Sequence, residues 1–160
     1  MTSAPVKDLA EEMKLARFES FKAGSKSAFG RYEVTEEEVI EFASKYDAQF
    51  FHLDHEAAKK SLFGGLCASG WHTCGMTMSM LVENMKTTGG SLGSPGIDEL
   101  RWWKPVYPGD VLSVETEVLE CNRSKSRPEI GVVVYTVTVL NQNAERVMSF
   151  LSKGIYPTGA

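Results

Sequence analysis

Between residues 61 and 82 the chain carries no Asp, Glu, Lys or Arg. A run of that length is sufficient to cross a bilayer, so whatever the chain folds into must give it a dry place. Its composition decides against a membrane. Gly, Ser, Thr, Cys and Met dominate it, His72 lies inside it, and few of its residues are the Leu, Ile and Val that drive insertion. A helix buried within a protein core is the remaining destination, and a helix apolar on every side needs cover on most sides.

The rest of the chain can supply that cover. At 160 residues it suits one domain with a real hydrophobic core. A formal net charge of -4 weighs against nucleic acid as a partner, because phosphate binding needs a basic face. The three cysteines, Cys67, Cys74 and Cys121, form an odd set with no two-residue gap between any pair. They read as reduced thiols rather than as a disulfide or a metal site. The first residues, MTSAPVKDLAEEMK, lack the apolar core of a secretory signal. The expected location is the cytoplasm, with neither a membrane nor nucleic acid among the partners.

Residues 1–26 read as a polar helical arm that becomes irregular, with Phe18 and Phe21 docking it on the body. Residues 27–34 predict a first strand. Thr35 and Glu38 match the T-x-x-E capping box, and Val39, Phe42, Ala43 and Tyr46 follow at helical spacing. After the loop DAQFFHL, Asp54 is placed to cap a short helix over HEAAKK. Gly64 and Gly65 lead into the charge-free helix, expected over residues 69–86. Beyond Gly89 and Gly90 come four β-rich runs, at 97–103, 111–121, 131–140 and 146–156. Val114, Thr116 and Val118 alternate with Glu115 and Glu117, the period of a half-buried strand. Residues 132–140 are almost wholly β-branched, aromatic or apolar, which predicts a strand in mid-sheet. Turn residues separate the runs at Pro108-Gly109-Asp110, at 122–128 and at Asn141-Gln142-Asn143.

Consecutive strands joined by short turns make an antiparallel sheet. Curved around the uncharged helix, that sheet gives an α+β hotdog fold, with residues 1–26 as an arm and 27–160 as a single hotdog domain. Trp102 and Trp103 alternate faces of their strand and are expected in the core and at an interface. A lone sheet of this kind leaves an edge strand and one end of the central helix uncovered. A homodimer or larger even assembly is therefore expected.

Two places can carry chemistry. The loop after the capped helix holds Asp47 and His52, five residues apart. That spacing does not share a helical face, so a folded loop must bring carboxylate and imidazole together. Asp and His are a natural pair for moving protons near neutral pH. The same residues also fit a plainer role, an Asp ending a helix and a His packed beside Phe50 and Phe51. The second place is Gly70, which closes the segment FGGLCASG at 63–70 and opens the charge-free helix. First-turn N–H groups are unpaired and lie at the positive end of the dipole, and a Gly there admits a ligand oxygen. On its own, helix–sheet packing is the simpler explanation of Gly70.

The run D-A-Q-F-F-H at 47–52 resembles the D-x-N-P-x-H signature of MaoC-like dehydratases and (R)-specific enoyl-CoA hydratases. The interval from His52 to Gly70 also fits that family, and KPVYPGD at 104–110 is similar to its P-V-x-x-G-D turn. The resemblance covers roughly residues 27–157. It implies a hydratase or dehydratase of enoyl thioesters, with Asp47 and His52 as the catalytic pair and the Gly70 N–H as oxyanion donor. Gln49 and Ser69 are candidates to touch the substrate, and so is His72, one turn into the central helix, for which a core or interface position is the simpler reading. Gln49 stands where the family has Asn, and Phe50 where it has Pro. The family's supporting Ser on the central helix falls at Met78, with Ser79 beside it, and is left unassigned.

The implied mechanism is acid–base catalysis on a water held by Asp47 and His52 against the β-carbon. One of the pair takes a proton from the water, and a proton reaches the α-carbon on the same face. Coenzyme A enters as part of an acyl-CoA substrate, and no metal or redox cofactor is implied. Asp47, His52, Asp54 and His55 contain enough ligands for a metal, but Asp54 has a capping role. Arg123, Lys125 and Arg127 share one hairpin and are candidates for the coenzyme A phosphates, or they form a solvated turn. Two other functions use the same fold: a thioesterase, and a non-catalytic acyl-thioester binder or dimerisation module.

Overall fold

Short polar turns set two of the strand pairings. Asn141 folds the tightest of them. Its side-chain oxygen accepts the N–H groups of Asn143 and Glu145 at 3.0 and 3.1 Å, while Ala144 takes a left-handed φ of 58°. The computed structural model describes residues 14–159. Its strands are β1 (Lys26–Glu33), β2 (Ile97–Trp102), β3 (Val111–Arg123), β4 (Ile130–Leu140) and β5 (Arg146–Pro157). They form one antiparallel sheet in the order β1-β3-β4-β5-β2. The strand expected in mid-sheet, β4, is central. Val139 pairs with Val114 on one side and with Met148 on the other, and all three are fully buried.

The helices are α1 (Glu36–Tyr46), α2 (His55–Ala58) and α3 (Gly70–Thr88). The uncharged run forms α3, which packs Met76, Met80 and Leu81 into the core with Val39, Val114 and Val137. It packs against β1 at Gly30, at φ 87° within a bulge between Phe29 and Tyr32. A Cβ at Gly30 would lie 2.7 Å from the Met80 sulfur, so the helix needs a bare backbone there. This is the curved-sheet-on-helix arrangement of the hotdog fold.

Three expectations are corrected. The uncovered part of α3 is not one end alone, because Trp71, Met78 and Val82 form an exposed stripe along it. The capping box is half made. Thr35 Oγ1 accepts the Glu38 N–H at 3.3 Å, but the Glu38 carboxylate turns to Tyr32 and His72 instead of back to the helix start. Neither Trp102 nor Trp103 is core, at 45% and 48% exposure. Most of the expected helical arm lies outside the described residues. Its later part has one 3-10 turn, Phe18–Ser20, and docks as expected, with Phe18 against Gly131 and Phe21 4.4 Å from the Tyr156 ring. No helix among the described residues is long and apolar enough to cross a membrane.

Candidate active site

The loop between α1 and α2 folds Asp47 and His52 together. Asp47 ends α1, its N–H bonded to the Ala43 carbonyl, and residues 50–52 make a 3-10 turn. Two hydrogen bonds then tie the turn to the segment before α3. The Cys67 N–H donates to the Phe51 carbonyl at 3.1 Å, and His52 Nδ1 lies 2.7 Å from the Cys67 carbonyl. A carbonyl only accepts, so Nδ1 carries a proton and the ring turns its Nε2 toward Asp47. That nitrogen sits 3.4 Å from Asp47 Oδ2.

The Asp47 carboxylate is held from two sides. Gln49 Nε2 donates to Oδ1 at 2.6 Å and the Ser69 hydroxyl donates to Oδ2 at 2.8 Å. Burial raises the Asp47 carboxyl, but the Gln49 and Ser69 hydrogen bonds and the nearby His52 outweigh it, so its pKa lies below the usual aspartate value. Gln49 therefore uses its amide on the Asp47 carboxylate, and Ser69 combines this contact with the N-cap of α3. Both had been expected against substrate.

Gly70 is the first residue of α3, and its N–H donates to no acceptor among the described residues. The need for glycine there comes from packing. A Cβ would lie 2.4 Å from the Trp102 indole, whose Nε1–H donates to the Gly70 carbonyl at 3.0 Å. Asp47, His52 and Gly70 line one cavity of about 370 Å³. It is many times the roughly 30 Å³ share of one water, and it lies within the size range of small-molecule sites. Its walls are aromatic, from Phe51, Phe63, Trp71, Trp102 and Trp103.

The remaining candidates stand elsewhere. His72 is buried on the α1 side of α3, stacked on Phe42 at 4.8 Å, with Nε2 2.9 Å from Glu38. It does not line the cavity of the dyad. Asp54 caps α2 through the Ala57 N–H at 2.7 Å and His55 pairs with Glu36, so neither joins Asp47 and His52. Arg123 pairs with Glu19 and Arg127 with Glu129, each at 2.9 Å, and Lys125 shares their hairpin. That hairpin lies at the far end of β3, roughly 40 Å of strand from the Pro-Gly-Asp turn. The turn itself supports the site: the Val106 carbonyl accepts the Ala68 N–H at 2.8 Å, and the Tyr107 hydroxyl donates to the Phe63 carbonyl at 2.6 Å. Two contributors had not been singled out from the sequence, the Cys67 carbonyl and the aromatic walls. A backbone carbonyl leaves no mark in a sequence, and the walls come from three separate segments.

The profile of the MaoC like domain matches residues 20–142. The chain belongs to the MaoC-like family. A MaoC-like dehydratase from Rhodospirillum rubrum is 42% identical, with a TM-score of 0.79 over 87% of this chain and 94% of that one. YdeM of Bacillus subtilis (strain 168) is 27% identical over 131 residues, 82% of this chain and 92% of that protein. The fold is also that of the (R)-hydratase PhaJ1 from Pseudomonas aeruginosa, 23% identical, with a TM-score of 0.69 over 91% of this chain and 88% of that one. Membership of the MaoC-like family supports hydratase or dehydratase chemistry.

Proposed function

We propose that this MaoC-like chain adds water across, or removes it to form, the double bond of an enoyl thioester, with enoyl-CoA and 3-hydroxyacyl-CoA as the two sides of the reaction. The observation that carries this reading is the meeting of the Asp47 carboxylate and the His52 imidazole, with Oδ2 and Nε2 3.4 Å apart on one wall of a cavity that Gly70 also lines. A water has two O–H bonds and can donate one to each. Held that way, its oxygen lone pairs face the β-carbon of the enoyl group. One of the dyad takes a proton as the C–O bond forms, and a proton is delivered to the α-carbon. Positioned acid–base groups of this kind contribute about 10²–10⁴ in rate. The Gly70 N–H is proposed as donor to the enolate oxygen, a contribution of roughly 3–4 kcal/mol for such a donor. The chemistry moves only water and protons, so it requires no metal or redox cofactor.

Incubation with crotonyl-CoA tests the reading. Loss of the conjugated absorbance with CoA retained is the expected result. Release of free thiol would identify a thioesterase, and no reaction across a panel of enoyl-CoAs would leave a binding module. We also propose a homodimer, because the exposed stripe of Trp71, Met78 and Val82 and the open edge of β2 need cover. Light scattering at micromolar concentration should give twice the chain mass; a monomer would overturn it. Reduced cysteines fit a cytoplasmic setting.

A further inference from the structure

We propose that Ser69 is a positioning residue for Asp47, fixing the direction of its Oδ2 toward His52 and the cavity. The geometry leaves the Ser69 hydroxyl one way to point. Its oxygen accepts the Trp71 N–H at 3.3 Å as the N-cap of α3, and its own proton goes to Asp47 Oδ2 at 2.8 Å. The side chain is fully buried, so water does not compete for that proton. Gln49 holds the other oxygen, Oδ1, at 2.6 Å. With donors on both oxygens the carboxylate cannot rotate about its terminal bond without breaking one of them.

The two donors differ in what they attach the carboxylate to. Gln49 belongs to the same loop as Asp47 and moves with it. Ser69 belongs to the start of α3 and immediately precedes Gly70. Ser69 therefore registers the dyad against the helix end that carries the Gly70 amide, so that one hydroxyl links the acid–base group to the proposed oxyanion donor. A donor to the charged form also favours ionised Asp47.

The catalytic consequence rests on the hydratase reading, whereas the effect on Asp47 does not. The experiment therefore uses two readouts on the wild type, Ser69→Ala and Ser69→Gly. The Asp47 carboxyl is titrated by ¹³C NMR, and crotonyl-CoA hydration is measured at steady state. Both variants lose the donor, but Gly is nearly as good an N-cap as Ser while Ala is not. The Asp47 midpoint should rise in both. Turnover should fall about 10- to 100-fold in both, the worth of one hydrogen bond to a charged group, with KM within about twofold. Melting temperature should fall more in the Ala variant than in the Gly variant. An Asp47 midpoint unchanged in both variants, with only the melting temperature lowered, would overturn the proposal and make Ser69 a helix cap alone. If the wild type hydrates no enoyl-CoA, the carboxyl titration still decides the role of Ser69, and only the hydratase reading fails.

Discussion

A methyl group at position 70 tests why glycine opens α3. Built on the present backbone, the Cβ of Gly70→Ala would lie 2.4, 2.7 and 2.8 Å from three atoms of the Trp102 indole. All are well inside van der Waals contact, so the ring must move. The ring is half exposed and can swing outward, but doing so breaks its bond to the Gly70 carbonyl and disturbs its edge contact with Trp71 at 5.4 Å. Overpacking of this kind costs about 1–3 kcal/mol, and the lost hydrogen bond about 1 kcal/mol. Alanine returns up to about 1 kcal/mol through helix propensity. The net is a destabilisation of about 1–3 kcal/mol, or roughly 3–10 °C in Tm for a chain of this length. The assay is urea and thermal unfolding of the wild type, Gly70→Ala, Trp102→Ala and the double variant. In the Trp102→Ala background the methyl has room, so its cost should vanish. A Gly70→Ala protein as stable as the wild type, or an equal cost in both backgrounds, would refute the steric account.

Three further outcomes follow from the same geometry. Asp47→Asn and His52→Asn should each lower turnover by about 10²–10⁴-fold, and the double variant should lose far less than the product, since the proposed mechanism has both hold one water; multiplicative losses would assign them to separate steps. Burial and the charge of Asp47 push the Cys67 thiol up to about 11, so at pH 8 it should alkylate far more slowly than Cys121, as read by mass spectrometry of labelled peptides; equal rates would contradict its placement. Burial raises the Glu38 carboxyl, but bonds from Tyr32 and His72 outweigh it and hold it below its ordinary 4.5. Its stabilisation is therefore complete above pH 4.5 and lost as pH falls through the lower folded value. The stability gap between the wild type and Glu38→Gln should close over that interval in acid denaturation. It should not exceed about 1 kcal/mol, because the carboxylate is 43% exposed; a gap independent of pH would remove the ionic contribution.

The fold was legible where one physical requirement acted on a whole segment. Alternation of Val114, Thr116 and Val118 with glutamates marks one buried face, and the absence of charge over 61–82 marks a helix with no polar side. Legibility failed where a residue served two partners. Glu38 matches a capping box, but a carboxylate able to reach the helix start can equally reach Tyr32 and a buried histidine. The structure gives it the second pair of contacts. Trp102 alternates as a strand residue should. Its position on an edge strand, and hence its exposure, depends on β2 pairing with β5 alone, and strand order is not a local property.

The two histidines of the central region show why the site required the structure. His52 and His72 are both buried, both face a carboxylate across a gap in sequence, and both pack against phenylalanine. Residue type and burial do not separate them. What separates them is the use of the second ring nitrogen. His52 Nδ1 is bonded to the Cys67 carbonyl, which frees Nε2 to face Asp47 and the cavity at 3.4 Å. His72 presents its Nε2 to Glu38 at 2.9 Å, a closed hydrogen bond, and its Nδ1 is buried without a partner. A ring so held joins α1 to α3 and has no nitrogen facing the cavity. The carbonyl that orients His52 belongs to Cys67, fifteen residues away in the chain. Only the folded path of the segment before α3 brings it there, so the distinction between a histidine that faces the cavity and one that joins two helices is made by backbone geometry rather than by side-chain identity.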